Sequence, residues 1–246
     1  MLVIRFFADG ARDWGISPGQ LKLMLTVPFV IAFSGVVAAL LGKDAYKMLT
    51  GEDRIAEYLQ VLCWGTSLLL TVGLVKNSKV HGKNLIAGLY VLLAIGIIFL
   101  IGEEISWGQR LFGWATPEAY KAMNKQEETN LHNIHGVGYT FKWLHMLIGA
   151  YGAFLPLMLL RVPKGMPWRE DLSMIIPPVT LVPFFLMPFV WRFYRNLFEA
   201  PKDFYFVVSE YSEVMELVLA SGFVFFLFYQ KRRLDRRKQA LNNGRA

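Results

Sequence analysis

Six stretches of 17 to 20 residues with almost no charge constrain the fold of this chain more than any other feature. They cover residues 23–41, 58–75, 85–102, 143–160, 172–191 and 214–230. About 20 helical residues cross the roughly 30 Å hydrocarbon core of a bilayer. Charged residues make up only 18% of the chain, against about 25% in soluble domains. The sequence therefore predicts an all-α integral membrane protein, a six-transmembrane-helix bundle, and excludes soluble, disordered and disulfide-scaffold classes.

The chain reads as a single polytopic membrane domain, residues 1–246, without internal repeats. An outer segment, 103–142, joins the third and fourth spans, and short interfacial helices are expected on the extracytoplasmic side. Within it, Thr116, Pro117 and Glu118 supply a cap residue, a proline at the first helical position and an early acid, which together predict a helix start. The fifth span should be kinked or broken, because prolines inside a helix remove backbone hydrogen bonds. Its prolines are Pro177, Pro178, Pro183 and Pro188.

Lysine and arginine are distributed unequally between the two sides of the predicted bundle. Placing the basic tail 231–246 in the cytoplasm puts 16 of the 26 basic residues on that side. The positive-inside rule then predicts a cytoplasmic N-terminus and C-terminus, as in a multi-pass protein of the bacterial cytoplasmic (inner) membrane. A basic cluster just past a span is typical of contact with anionic lipid headgroups. Membrane lipids and protein partners in the membrane are expected, and nucleic acid is not.

The single cysteine, Cys63, excludes an intrachain disulfide and CxxC metal motifs. It lies inside the second apolar stretch, where a small buried hydrophobe is expected.

Two ionisable residues inside the spans have matching depths. His145 precedes Arg161 by 16 residues, about 24 Å of helix, and Glu216 precedes Lys231 by 15, about 22 Å. Ionisable groups at that depth are costly unless they face the bundle interior and find partners. The sequence therefore predicts that both point into a common polar pocket, which also reaches Glu103 or Glu104.

Histidines and carboxylates on the predicted outer side offer the ligands that zinc, iron or manganese require. The candidate metal ligands are His132, His135, His145 and Glu213. A carboxylate outside the metal shell can act as general acid or base on bound water, and the candidates for this role are Glu103, Glu104 and Glu216. Arginines hold anionic headgroups, so the candidates for substrate contact are Arg110, Arg192, Arg195 and Trp107, although Trp107 also fits an interfacial anchor.

Two further polar features carry weaker signals. Ser106 lacks a GxSxG setting and an evident neighbouring base, so it is not expected to be a nucleophile. The polar run 124–133 indicates either one wet face of an extended segment or a solvated loop.

The leading functional hypothesis is an enzyme that acts at the outer leaflet on a lipid or lipid-linked substrate, by metal-assisted hydrolysis or group transfer. One alternative is a non-catalytic subunit or assembly factor of a membrane complex, in which the same polar residues are structural. The other is a small proton-coupled transporter, suggested by Glu216 and the proline-rich fifth span.

Overall fold

The computed structural model describes most of the chain. The backbone is described for every residue except 1, 81, 125–127, 132, 133, 135, 164, 243, 245 and 246. The side chains described are the same residues less 2–6, 80, 110, 111, 237 and 240–242.

The predicted all-α six-helix bundle is confirmed: 82% of the structure is helical, and six helical segments are long and apolar enough to cross a membrane. An amphipathic α1 (Leu2–Trp14) precedes the first span. Five spans are single helices, and four of these are α2 (Pro18–Leu40), α4 (Ile55–Val80), α5 (Asn84–Glu104) and α8 (Val137–Leu160). The sixth, α11 (Tyr205–Asn242), has 38 residues.

The fifth span is broken, as its prolines predict. α9 (Pro167–Ile175) ends before Pro177 and Pro178, a 3-10 turn follows at Val179–Leu181, and α10 (Val182–Leu197) completes the crossing. A broken helix inside a bilayer needs partners for its freed carbonyl groups. The hydroxyl of Tyr90 donates to Met174 O at 2.5 Å, and that of Tyr151 donates to Ile175 O.

The two ends of the bundle differ in composition. One, called here the loop end, carries α3 (Lys43–Thr50), α6 (Gln109–Phe112) and α7 (Glu118–Lys121). The other, the tail end, carries α1 and the basic last turns of α11. There Arg236 donates to the carbonyls of Arg12 and Asp13 and so caps α1.

Three helix boundaries in the structure differ from those predicted from the sequence. The expected helix after Thr116 forms, but it begins at Glu118 with Pro117 as the flanking residue, and Thr116 provides no side-chain cap. Residues 137–142, assigned to the outer segment, are the first turns of α8. The tail, expected only as a basic segment, continues α11 to Asn242.

The spans pack as an arc in the order α5, α4, α11, α10, α8, and α2 packs against α11. The closest packing is between α8 and α10, where small residues admit aromatic rings. Gly149 lies against the backbone of Phe189, and an added Cβ there would meet its nitrogen at 2.9 Å. A Cβ at Gly152 would overlap the ring of Phe185. These glycines bring α10 close enough for its polar end to face α8.

Candidate functional site

A polar pocket opens at the loop end of the bundle, between α4, α5, α8, α10 and α11. Its volume is about 500 Å³. Its charged lining is unusual for the end of a membrane bundle, since it combines a histidine and three cations with seven carboxylates. The basic side chains are Lys142, His145, Arg192 and Arg195, and the carboxylates are Glu52, Glu57, Glu103, Glu104, Glu210, Glu213 and Glu216.

An arginine–glutamate–histidine cluster lies in this pocket. Arg192 of α10 donates from Nη2 to Oε1 of Glu216 on α11, and His145 Nδ1 of α8 lies 3.5 Å from the same oxygen. Arg192 is only 6% exposed. A buried arginine needs a carboxylate partner, because an uncompensated charge in a low-dielectric interior is very costly. The close α8–α10 packing therefore places three ionisable groups from three helices within contact distance.

The Arg192 side chain is not fully satisfied by this cluster. Its Nε is buried and has no hydrogen-bond acceptor among the described residues. Buried polar atoms without partners are rare and call for a physical explanation, such as a site for an acceptor that binds. Arg192 also lines the pocket, so an anionic ligand there would have a donor available.

Glu213 lies one turn before Glu216 on α11 and has a different partner. Gln60 of α4 donates from Nε2 to both the backbone oxygen and Oε2 of Glu213, each at 3.1 Å. Gln60 is 1% exposed. A neutral amide donor can hold Glu213 close to Glu216 without adding a further charge.

Glu103 holds the loop after α5 in place. Its Oε1 accepts from Trp107 Nε1 and its Oε2 accepts from the Leu131 backbone N–H, both at 2.7 Å. Ser106 and Trp107 have φ angles of 47° and 53°, a left-handed conformation that is strained for residues with a side chain. Through these two hydrogen bonds, Glu103 joins the strained turn at Trp107 to the loop backbone at Leu131.

Ser106 has an acidic partner that its sequence setting did not reveal. Its Oγ donates to Glu128 Oε2 at 2.7 Å, and Asn130 Nδ2 donates to the same oxygen at 2.8 Å. Asn130 in turn accepts from Asn124 Nδ2 at 2.8 Å through its backbone oxygen. Ser106 is fully buried, so this network serves the strained turn and does not expose a nucleophile.

Of the two alternatives for the run 124–133, a segment with one wet face fits its described part better than a solvated loop, because Asn124 and Asn130 are buried while Leu131 is exposed. Tyr120 closes the network by donating to Asn130 O at 3.2 Å. Burial and the neighbouring Glu103 raise the pKa of Tyr120, so its hydroxyl remains a donor at neutral pH.

The structure brings most of the predicted site residues together. Glu103, Glu104, His145, Arg192, Arg195, Glu213 and Glu216 all line the pocket. The meeting of His145 and Glu216, predicted from their matching depths, is present. Trp107 lies outside the lining and packs edge-on against Phe99, with ring centroids 5.8 Å apart. His132, His135 and the side chain of Arg110 lie outside the described residues.

Among the residues that the structure describes, no group of three or more His, Cys, Asp or Glu side chains is arranged to hold a metal ion. At Glu216, the same carboxylate oxygen accepts from Arg192 and faces His145. A cation bound jointly by His145 and Glu216 would have to compete with the guanidinium group there.

Sequence reasoning did not assign four charged residues of the lining to the site: Glu52, Glu57, Lys142 and Glu210. Lys142 lies only three residues before His145, and it joins the site because α8 starts at Val137, before the apolar run begins. Glu52 belongs to the short connection between α3 and α4. Its sequence setting resembles that of any solvated loop acid, so no signal distinguished it.

Comparison with protein-family models, with curated proteins and with solved structures gives no match to this chain.

Proposed function

We propose that this chain is an integral membrane enzyme that acts at the outer leaflet on a lipid or lipid-linked substrate, by hydrolysis or group transfer. The observation that carries the proposal is the charged pocket of about 500 Å³ at the loop end of six apolar spans. A concave site with convergent ionisable groups is the usual setting for ligand binding or catalysis.

The proposal includes the orientation of the protein. With both termini in the cytoplasm of a bacterial cell, 16 of the 26 basic residues lie inside and the pocket faces the outer leaflet. The basic end of α11 then lies at the inner surface, where anionic lipid headgroups would be its partners.

Each class of lining residue has a role in this mechanism. Arg192 and Arg195 would bind an anionic headgroup, and the unpaired Nε of Arg192 supports this assignment. His145 beside Glu216 forms an imidazole–carboxylate pair, an arrangement in which histidine accepts a proton from an attacking water. Glu104, which lines the pocket at the end of α5, would return a proton to the leaving oxygen.

A divalent metal such as zinc belongs to this proposal only with His132 and His135 as ligands, joined by His145 and Glu213, and in that version Glu216 would act as the general base in place of His145. Imidazole and carboxylate donors would suit zinc, which would lower the pKa of a bound water. Metal analysis of the purified protein tests this part separately.

The decisive experiment compares pocket variants in nanodiscs made from bacterial polar lipids. Lipid products are followed by mass spectrometry for the wild-type protein, Glu104→Gln and Glu118→Gln. Glu118 is a matched control, because its side chain is 88% exposed and pairs only with Lys121 at 2.8 Å, away from the pocket. We expect product formation to fall by about 10²–10⁴-fold in Glu104→Gln, the usual effect of losing a general acid, and to persist in Glu118→Gln.

A wild-type protein that converts no lipid or lipid-linked substrate would instead favour a non-catalytic subunit or assembly factor. The observation behind that alternative is the structural use of the acids, since Glu103 holds a loop and Glu216 neutralises Arg192. Co-purification of a membrane partner that depends on an intact Arg192–Glu216 pair would support it.

The transporter alternative is favoured by a different observation. The fifth span is broken, and α4 presents buried Ser67, Thr71 and Ser78 toward the bundle interior below Gln60. Proton uptake into proteoliposomes that is lost in Glu216→Gln would support this function over an enzyme.

A further inference from the structure

The arc of helices is not closed on one side. α5 packs on α4, and α8 packs on α10, but these two outer helices of the arc do not pack along their lengths within the described structure. They are linked instead through side chains and through the end of α9, and we call the side of the bundle between them the α5–α8 cleft. In a bilayer, such a cleft faces lipid directly, because both helices are membrane spans.

The half of this cleft nearest the tail end is filled by the break in the fifth span. Tyr90 of α5 donates to Met174 O, and Tyr151 of α8 donates to the adjacent Ile175 O. The end of α9 is thus held between the two helices by one tyrosine from each.

The half nearest the loop end is closed by aromatic rings. Phe99 of α5 and Phe141 of α8 stack with centroids 6.0 Å apart and planes 8° apart. Both rings are partly exposed. Unlike the hydrogen bonds below, a ring contact of this kind separates by rotation of a side chain, at little cost in a lipid environment.

The aromatic contact leads directly into the polar pocket. Phe141 lines the pocket, as do Tyr139 on the same helix and Leu100, the residue after Phe99. Phe99 lies 16 residues beyond Lys83, about 24 Å along the helix, the depth also found for His145. This is the level at which the acyl chains of the outer leaflet approach their headgroups.

We propose that a membrane lipid enters the pocket sideways, between α5 and α8, by parting the Phe99–Phe141 contact. Its polar headgroup then reaches Arg192 and Arg195 while an acyl chain stays in the cleft between the two helices. The occupant is a phospholipid and not a soluble molecule, because the opening lies within the apolar part of the spans. The inference rests on the proposed lipid function and adds the route by which the substrate arrives.

The test bridges the opening reversibly. In a Cys63→Ala background, Phe99→Cys and Phe141→Cys are joined by a short bifunctional methanethiosulfonate, which reductant removes. The matched control pair is Phe154→Cys with Phe189→Cys, which joins α8 to α10 through rings 5.1 Å apart where the helices already pack. Native mass spectrometry then follows exchange of bound phospholipid against deuterated phosphatidylethanolamine and phosphatidylglycerol vesicles.

We expect the 99–141 bridge to slow lipid exchange at least tenfold, reductant to restore it, and the control bridge to leave it unchanged. Exchange that continues unchanged with the opening bridged, or that slows equally with the control bridge, overturns the lateral route while leaving the lipid site intact. If the unbridged protein retains no phospholipid at all, the proposed lipid function fails and the route fails with it. Should the first pair not fold, Leu100→Cys with Tyr139→Cys is the second pair to be tested, because both residues line the pocket beside the ring contact.

Discussion

The Arg192–Glu216 pair gives the sharpest quantitative prediction. Glu216→Gln keeps the shape of the side chain and removes its charge, so Arg192, only 6% exposed, loses its compensating carboxylate. Removing one partner of a buried ion pair costs about 3–5 kcal/mol. The side chain of Glu216 is 18% exposed, well below the level at which solvent screening would dominate.

This cost should appear as a lower unfolding temperature. For a protein of this size, each kcal/mol corresponds to about 2–4 °C, so Glu216→Gln should unfold about 6–20 °C below wild type in detergent. Glu210→Gln is the control, since Glu210 lines the same pocket two turns earlier on α11. Its unfolding temperature should change by less than about 3 °C, within the range usual for substitutions outside a paired network.

A variant in which both partners are replaced shows whether the loss of stability comes from the uncompensated charge of Arg192. Replacing a whole buried ion pair by apolar residues is often neutral. Arg192→Met combined with Glu216→Met should therefore recover most of the stability lost in Glu216→Gln. An unchanged unfolding temperature in Glu216→Gln, or a double variant less stable than the single one, would refute the assignment of Glu216 as the partner that Arg192 requires.

Three further predictions follow from other features. Gly102→Ala should destabilise the protein by about 1–3 kcal/mol and shift tryptophan fluorescence, because its Cβ would meet the Trp107 ring at 2.9 Å; Gly96→Ala, which has open space on the same helix, should be neutral or stabilising. In a cysteine-free background, Thr129→Cys should react with an impermeant thiol reagent in intact cells and Asn242→Cys should react only after permeabilisation, and the reverse pattern would place the pocket on the cytoplasmic side. Purified protein should lose bound divalent metal and activity together on chelation if the metal-assisted version holds, and full activity in metal-free protein would exclude it.

The spans could be predicted because each depends on a local property. A run of about 20 apolar residues must become a helix in a bilayer, whatever surrounds it. Helix ends were less accurate, since helices continue past the apolar core wherever good helix formers follow. α8 accordingly starts at Val137, and α11 runs on through the basic residues to Asn242.

Site residues could be predicted from the sequence only where their depth in the membrane was sufficient to place them. His145 and Glu216 lie at the same depth in the membrane. Burying an ionisable side chain there costs free energy unless it finds a polar partner, so two such groups at one depth are expected to lie close together. The role of Glu103 was not accessible in the same way, because its partner Leu131 lies 28 residues away in a loop with no periodic pattern. The pairing of Ser106 with Glu128 depends on the same loop path.

The last helix, α11, is continuous from the loop end of the bundle to the tail end. α11 contains no proline and runs unbroken from the carboxylates of the pocket to the arginines that bind α1 and α9. An α-helix barely compresses along its axis, since each turn is held by its own hydrogen bonds. Any displacement of Arg233 or Arg236 along the helix axis is therefore transmitted to Glu216, about 26–30 Å away. The charged pocket at the loop end and the basic cluster at the tail end therefore lie on one continuous helix.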